Sequence, residues 1–140
     1  MILFCDTSAL VKLFVLEEHS DTMVAAAAAA DALAVSRLAW PEFMAALARR
    51  ARECPRDATA LAQARQEWVA RWPDFVVLEA TQPVMELAGD YAEAFALRAY
   101  DSVQLAALQT LCLQSGEEVH FACFDSRLVK AAAVLGIAGA

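Results

Sequence analysis

The sequence predicts an α/β fold, with a mostly parallel central sheet of four or five strands and helices on both faces. Three observations carry this. Short apolar runs recur along the chain, each followed by helix-capping residues or a helical pattern. Alanine, the best helix former, fills 33 of 140 positions. Strand and helix patterns alternate, which is the signature of parallel βαβ units covered on both sides.

Ile2 to Cys5 reads as a buried strand ending in Asp6-Thr7-Ser8, all helix-capping types, with a helix through about Leu16. A second helix is expected over 19–30, capped by Ser20 or Asp21. Leu33 to Leu38 is a second strand. Pro41 occupies a first-turn position, so a helix runs from about Trp40 to Arg52. Asp57 to Trp72 places Leu61, Ala64, Trp68 and Trp72 at helical spacing, which makes the tryptophans packing residues rather than a base-stacking platform. Phe75 to Leu78 is a third strand. Val84, Leu87, Ala88, Tyr91 and Phe95 form one apolar helix face. A helix from Ser102 to about Gln114 stops near Gly116. Val119 to Phe124 is a fourth strand, and Asp125 caps a helix through Leu135 that Gly136 closes. Ile137 and Ala138 form a last short strand. No repeat or linker interrupts this series, so residues 1–140 read as one domain.

Composition narrows the function classes. Apolar residues are 60% and charged residues 21%, which excludes disorder. A chain of this length buries roughly two-thirds of its unfolded surface. The longest aliphatic run, Met23 to Ala30, falls far short of the ~20 residues that span a bilayer. Met1 to Asp6 lacks the basic start of a signal peptide, so a cytoplasmic, membrane-free protein is expected. The cysteines (5, 54, 112 and 123) show no paired spacing and read as free, mostly buried thiols. His19 and His120 stand alone, which disfavours a histidine base or a zinc site. A net charge of −7 argues against a general nucleic-acid surface.

Four of the acids fall in a pattern. Asp6 and Asp125 each follow a strand and open a helix, Glu42 lies in a first helical turn, and Asp101 precedes a helix. Each alone reads as readily as a helix cap or dipole partner as it does as a ligand. A parallel sheet, however, gathers such positions at one edge. Two like charges 4 Å apart repel by roughly 4 kcal/mol at an effective dielectric of 20, so converging acids require protonation or a cation. An oxygen-only set suits Mg²⁺ or Mn²⁺, and such ions serve phosphodiester hydrolysis.

The motifs carrying these acids resemble those of the PIN-domain ribonucleases, and more narrowly the VapC toxins of VapBC toxin–antitoxin pairs. They are Asp6-Thr7-Ser8-Ala9-Leu10-Val11-Lys12; Pro41-Glu42-Phe43 followed by Ala45-Ala46-Leu47; Leu97-Arg98-Ala99-Tyr100-Asp101-Ser102-Val103-Gln104-Leu105-Ala106, the most specific; and Phe124-Asp125-Ser126-Arg127-Leu128 followed by Lys130-Ala131-Ala132 and Gly136. Four ordered motifs span essentially the whole chain, with Ser102 where the family commonly has alanine. The resemblance implies a PIN-like three-layer α/β/α sandwich. It also implies RNA cleavage by Asp6, Glu42, Asp101 and Asp125 around Mg²⁺ or Mn²⁺, with Asp6 and Asp101 as direct ligands. A homodimer and a small VapB-like antitoxin are implied as well, with DNA contacted only through the antitoxin. Thr7 and Ser8 serve either as helix caps or as hydrogen-bond partners of a carboxylate or the attacking water.

Substrate contact falls to Arg98 and Arg127, each close to a quartet member. Arg49 follows Glu42 by seven residues on one helix, about 10 Å along. It either meets substrate or belongs, with Arg50, Arg52 and Arg56, to a solvated basic helix end. An aspartyl-phosphate enzyme is disfavoured because Ser8 stands where a second aspartate is needed, and a receiver domain because Cys5-Asp6-Thr7 lacks the acidic pair. A catalytically inactive PIN-like binding subunit and a solitary PIN nuclease remain as alternatives; the complete quartet counts against the first.

Overall fold

A computed structural model describes all of residues 1–140. Five parallel strands form one sheet in the order β3-β2-β1-β4-β5: β1 Ile2–Cys5, β2 Ala32–Ser36, β3 Val76–Leu78, β4 Val119–Ala122 and β5 Ala138–Gly139. Seven α-helices connect and cover them: α1 Thr7–Phe14, α2 Ser20–Ala29, α3 Ala39–Glu53, α4 Ala58–Arg71, α5 Gln82–Phe95, α6 Ala99–Ser115 and α7 Ser126–Val134. This is the predicted three-layer α/β/α sandwich. No helix is long and apolar enough to cross a membrane.

The alternation along β1 divides the core. Leu3 and Cys5 face a cluster with Phe43, Leu47 and Trp68, whereas Ile2 and Phe4 face Leu105, Leu108, Phe121 and Leu128. That two-sided burial follows from successive side chains pointing to opposite faces of a strand. Trp68 is fully buried and stacks on Phe43 with ring centroids 4.3 Å apart, so it is a packing residue as expected. Trp72 packs edge-on against it.

Strand order locates the crevice. The chain moves outward from β1 through β2 to β3, then returns to the other side of β1 for β4. The order therefore reverses between β1 and β4, and in open parallel sheets ligands bind beyond the carboxyl ends at such a reversal. The Asp6 amide donates to the Ala122 carbonyl at 3.1 Å, which extends the β1–β4 pairing to the first acid.

Several local expectations need correction. Helix α2 has no side-chain cap: His19 occupies the cap position at φ 67°, and the Ser20 hydroxyl instead donates to the Val15 carbonyl and accepts from the Glu17 amide. Strand β2 ends at Ser36 because the chain turns at Arg37 and Leu38 into α3. Helix α6 begins at Ala99, not Ser102, so Asp101 lies inside its first turn. The final strand is Ala138–Gly139, one residue later than expected. All four cysteines are free, but only Cys5 is buried; Cys54, Cys112 and Cys123 are half-buried. Gly136 does close α7, at φ 78°.

Candidate active site

The carboxyl edge of the sheet gathers side chains from four helix N-termini. Asp6 is the N-cap of α1 and accepts from the Ala9 amide at 3.0 Å. Asp125 caps α7 and accepts from the Arg127 and Leu128 amides. Glu42 stands in the first turn of α3, and Asp101 in that of α6. The helix dipoles favour negative charge at all four places. Capping and clustering are therefore compatible, because one oxygen of Asp6 caps while the other looks elsewhere.

Asp6 is 5% exposed, and burial pushes its carboxyl above the ordinary range. Hydrogen bonds from Cys123, Ser8 and the Ala9 amide oppose that shift, and the Asp125 charge adds to it. Glu42 is raised first by burial and then by the charges of Asp101 and Asp6, against hydrogen bonds from Gln104 and Thr7. Asp101 is raised by burial and by Asp125, with Arg98 pulling it back. The four acids thus act on one another in turn, Asp6 with Asp125, Asp125 with Asp101, Asp101 with Glu42 and Glu42 with Asp6, as an acid ring at the carboxyl edge of the sheet. Of the predicted quartet, Asp101 and Asp125 line one cleft, and Asp6 and Glu42 do not line it.

The hydroxyls anticipated beside the first acid hold carboxylates. Ser8 Oγ donates to Asp6 Oδ1 at 2.7 Å and accepts from the Phe124 amide at 3.0 Å, tying α1 to the loop after β4. Thr7 Oγ1 donates to Glu42 Oε2 at 3.1 Å. Two further residues, Gln104 of the third motif and the free thiol Cys123, carry site contacts that the sequence did not assign to them. Gln104 Nε2 donates to Glu42 Oε1 at 3.2 Å, and the Cys123 thiol donates to Asp6 Oδ2 at 2.9 Å. Burial and the neighbouring Asp6 drive the Cys123 thiol strongly upward, so it stays a neutral donor. A lone polar residue one turn after Asp101, within the apolar run 103–108, was the available signal for Gln104.

The arginines divide. A cavity of about 410 Å³ opens between the starts of α6 and α7, lined by Arg98, Asp101, Asp125, Ser126 and Arg127. Arg98 Nε lies 3.7 Å from Asp101 Oδ2, and its guanidinium sits over the Tyr100 ring. Arg127 is exposed on the rim and joins no ion pair. Arg49 is exposed two helical turns beyond Glu42 and lines neither this cavity nor an ion pair. Its neighbour Arg50 is committed to Glu17. Two other cavities, about 480 and 640 Å³, contain none of the four acids, so size does not mark the site here.

No three Asp, Glu, His or Cys side chains converge closely enough to form an all-protein cage. A neutral thiol and carboxylates do not suit zinc, whereas Mg²⁺ retains several waters and needs only one or two carboxylates. The Gln104 Oε1 acceptor beside Glu42 is buried and has no partner. The two carboxylates that share the cleft, Asp101 and Asp125, fit a hydrated divalent ion of that kind.

The sequence matches the PIN domain family over residues 3–134. It is 40% identical over 106 residues to the proteins named ribonuclease VapC45 and ribonuclease VapC49, from two strains of Mycobacterium tuberculosis. Those alignments cover 76% of this chain and 74% of each relative. Among solved structures, PAE2754 from Pyrobaculum aerophilum superposes with a TM-score of 0.65 at 23% identity, over 94% of this chain and 79% of that one. A toxin–antitoxin complex from Klebsiella pneumoniae gives 0.61 at 19% identity, over 90% and 88%. These two structures establish the likeness of fold.

Proposed function

The chain belongs to the PIN-domain family, and from that premise we propose that it is a divalent-metal-dependent endoribonuclease, the toxin half of a toxin–antitoxin pair. The observation that carries the chemistry is the ring of four carboxylates from distant parts of the chain, three of them pushed above their ordinary range. The two ribonuclease relatives support RNA as the substrate. On this reading residues 1–140 are one PIN domain, working in the cytoplasm as a homodimer. A small VapB-like antitoxin restrains it and supplies any contact with DNA.

Asp6, Glu42, Asp101 and Asp125 hold Mg²⁺ or Mn²⁺, with Asp6 and Asp101 as its direct ligands. When bound, that ion acidifies water and neutralises charge building on the phosphoryl group. The chain's own residues supply orientation. Ser8, Cys123 and the Ala9 amide hold Asp6 by three donors, while Thr7 and Gln104 grip one oxygen each of Glu42. Such fixed donors cost no reorganisation during reaction. Arg98 and Arg127 face the cleft that Asp101 and Asp125 share, where they receive the RNA phosphate. Arg49 is left to the solvated helix end.

The test is cleavage of single-stranded and structured RNA by purified protein with Mg²⁺ or Mn²⁺. Activity is expected to vanish in chelator and in Asp6→Asn or Asp101→Asn. Cleavage that survives either treatment overturns the reading.

A further inference from the structure

Gln104 is a buried polar residue on an otherwise apolar stretch of α6, at 2% exposure. Its amide is used asymmetrically. Nε2 donates to Glu42 Oε1 at 3.2 Å and reaches Thr7 Oγ1 at 3.5 Å, so both of its N–H groups have partners. Oε1 has none. Buried acceptors without partners are rare, and each one calls for a cause. Flipping the amide would turn its oxygen against the Glu42 carboxylate and lose a donor there, so the charge on Glu42 sets the orientation.

The contacts close a triangle. Thr7 Oγ1 donates to Glu42 Oε2 and accepts from Gln104, which donates to Glu42 Oε1. Glu42 is therefore gripped at both oxygens from α1 and α6, and its carboxylate has little freedom to turn. The bare oxygen of the same amide lies in this cluster with no protein donor left to meet it. An apolar side chain of similar length would fill the volume without that deficit.

We propose that Gln104 is a positioning residue for the cation. Its Nε2 donates to both Glu42 and Thr7 and so presents the Glu42 carboxylate to the ion in one orientation, with the orphan Oε1 as the cost of that arrangement. This rests on the divalent-ion reading of the acid ring. Partners that orient metal ligands typically change metal affinity 10–100-fold when removed.

The experiment is Mn²⁺ titration of the full chain by calorimetry, with parent, Gln104→Met, Glu42→Gln and the double variant, alongside melting of the metal-free proteins. Gln104→Met removes two donor contacts together with the orphan acceptor, and the folded variant is expected to bind Mn²⁺ on the order of tenfold more weakly. Because Gln104 acts largely through Glu42, the double variant should lose less than the product of the two single losses. If Gln104→Met does not fold, Gln104→Asn withdraws the same amide by one methylene, and the same weakening is expected. Binding within twofold of the parent in a folded variant overturns the proposal while the acid-ring reading stands. Losses that multiply independently also overturn it, and a parent that binds no Mn²⁺ overturns both.

Discussion

Divalent ions should stabilise this protein, and the gain should grow as pH rises. Asp6, Glu42 and Asp101 titrate above their ordinary values of 3.8, 4.5 and 3.8. The folded state therefore binds their protons more tightly than the unfolded chain does. Their stabilising contribution is full below those ordinary values and is lost as pH rises through the raised ones. An ion seated among the ionised carboxylates restores what repulsion removed. At a concentration 100 times its Kd, one ion adds about 2.7 kcal/mol. Unfolding entropy near 2.1 cal/mol/K per residue gives about 0.29 kcal/mol/K for 140 residues. The melting temperature should then rise by about 9 °C at pH 7.5 and by clearly less at pH 5, where protons compete with the ion. Glu17 titrates in the opposite sense: burial would raise it, but hydrogen bonds from Lys12 and Arg50 hold it low, so its contribution is lost as pH falls. For that reason the assay is the difference between melts with and without Mn²⁺ at each pH, with matched NaCl as control. A shift that is equal at both pH values, copied by NaCl, or retained in Asp6→Asn refutes the reasoning.

Two further outcomes separate orientation from substrate contact. Cys123→Ser keeps a donor to Asp6 and should retain kcat within about threefold, whereas Cys123→Ala should lose about tenfold, equivalent to about 1.4 kcal/mol in the barrier; equal kcat for the two variants removes the thiol from the site's account. Arg127→Ala should raise KM for RNA several-fold and leave the melting temperature within about 2 °C, because the exposed side chain has no ion-pair partner to lose; steady-state kinetics and a melt decide it.

The parts of the site that could be read in the sequence share one property: a local signal. Asp6 and Asp125 each end a short apolar run and cap a helix, so their placement followed from strand and cap chemistry within four residues. Glu42 came with the first-turn Pro41. Asp101 was displaced in the reading because α6 starts from Arg98, an extended residue with no side-chain cap, and nothing local marks that start. Gln104 stands out locally only as a lone polar residue in an apolar run, and neither it nor Cys123 has a local signal that names its partner. Their partners Glu42 and Asp6 lie 62 and 117 positions away, and only the closed sheet brings them within hydrogen-bond distance. Ser20 failed as a cap for a related reason, since a turn back to Val15 and Glu17 competes for its hydroxyl.

The acidity of the chain has a specific location. Without the four ring carboxylates the net charge of −7 becomes −3, so more than half of the excess comes from these four positions at the carboxyl edge of the sheet. The basic residues offer limited compensation there. Lys12 and Arg50 are committed to Glu17, and Arg37 to Glu79. The basic residues that line the cleft are Arg98, itself tethered to Asp101, and Arg127. Two arginines facing a ring of four acids cannot attract a polyanion strongly while the ring is bare. A divalent ion held there on the proposed reading would reverse that balance beside Arg98 and Arg127 and would relieve Asp101 of its dependence on Arg98. On the proposed reading, metal binding and RNA binding are therefore coupled steps: the apo-protein should hold RNA weakly, and the ion should strengthen RNA binding as well as activate hydrolysis.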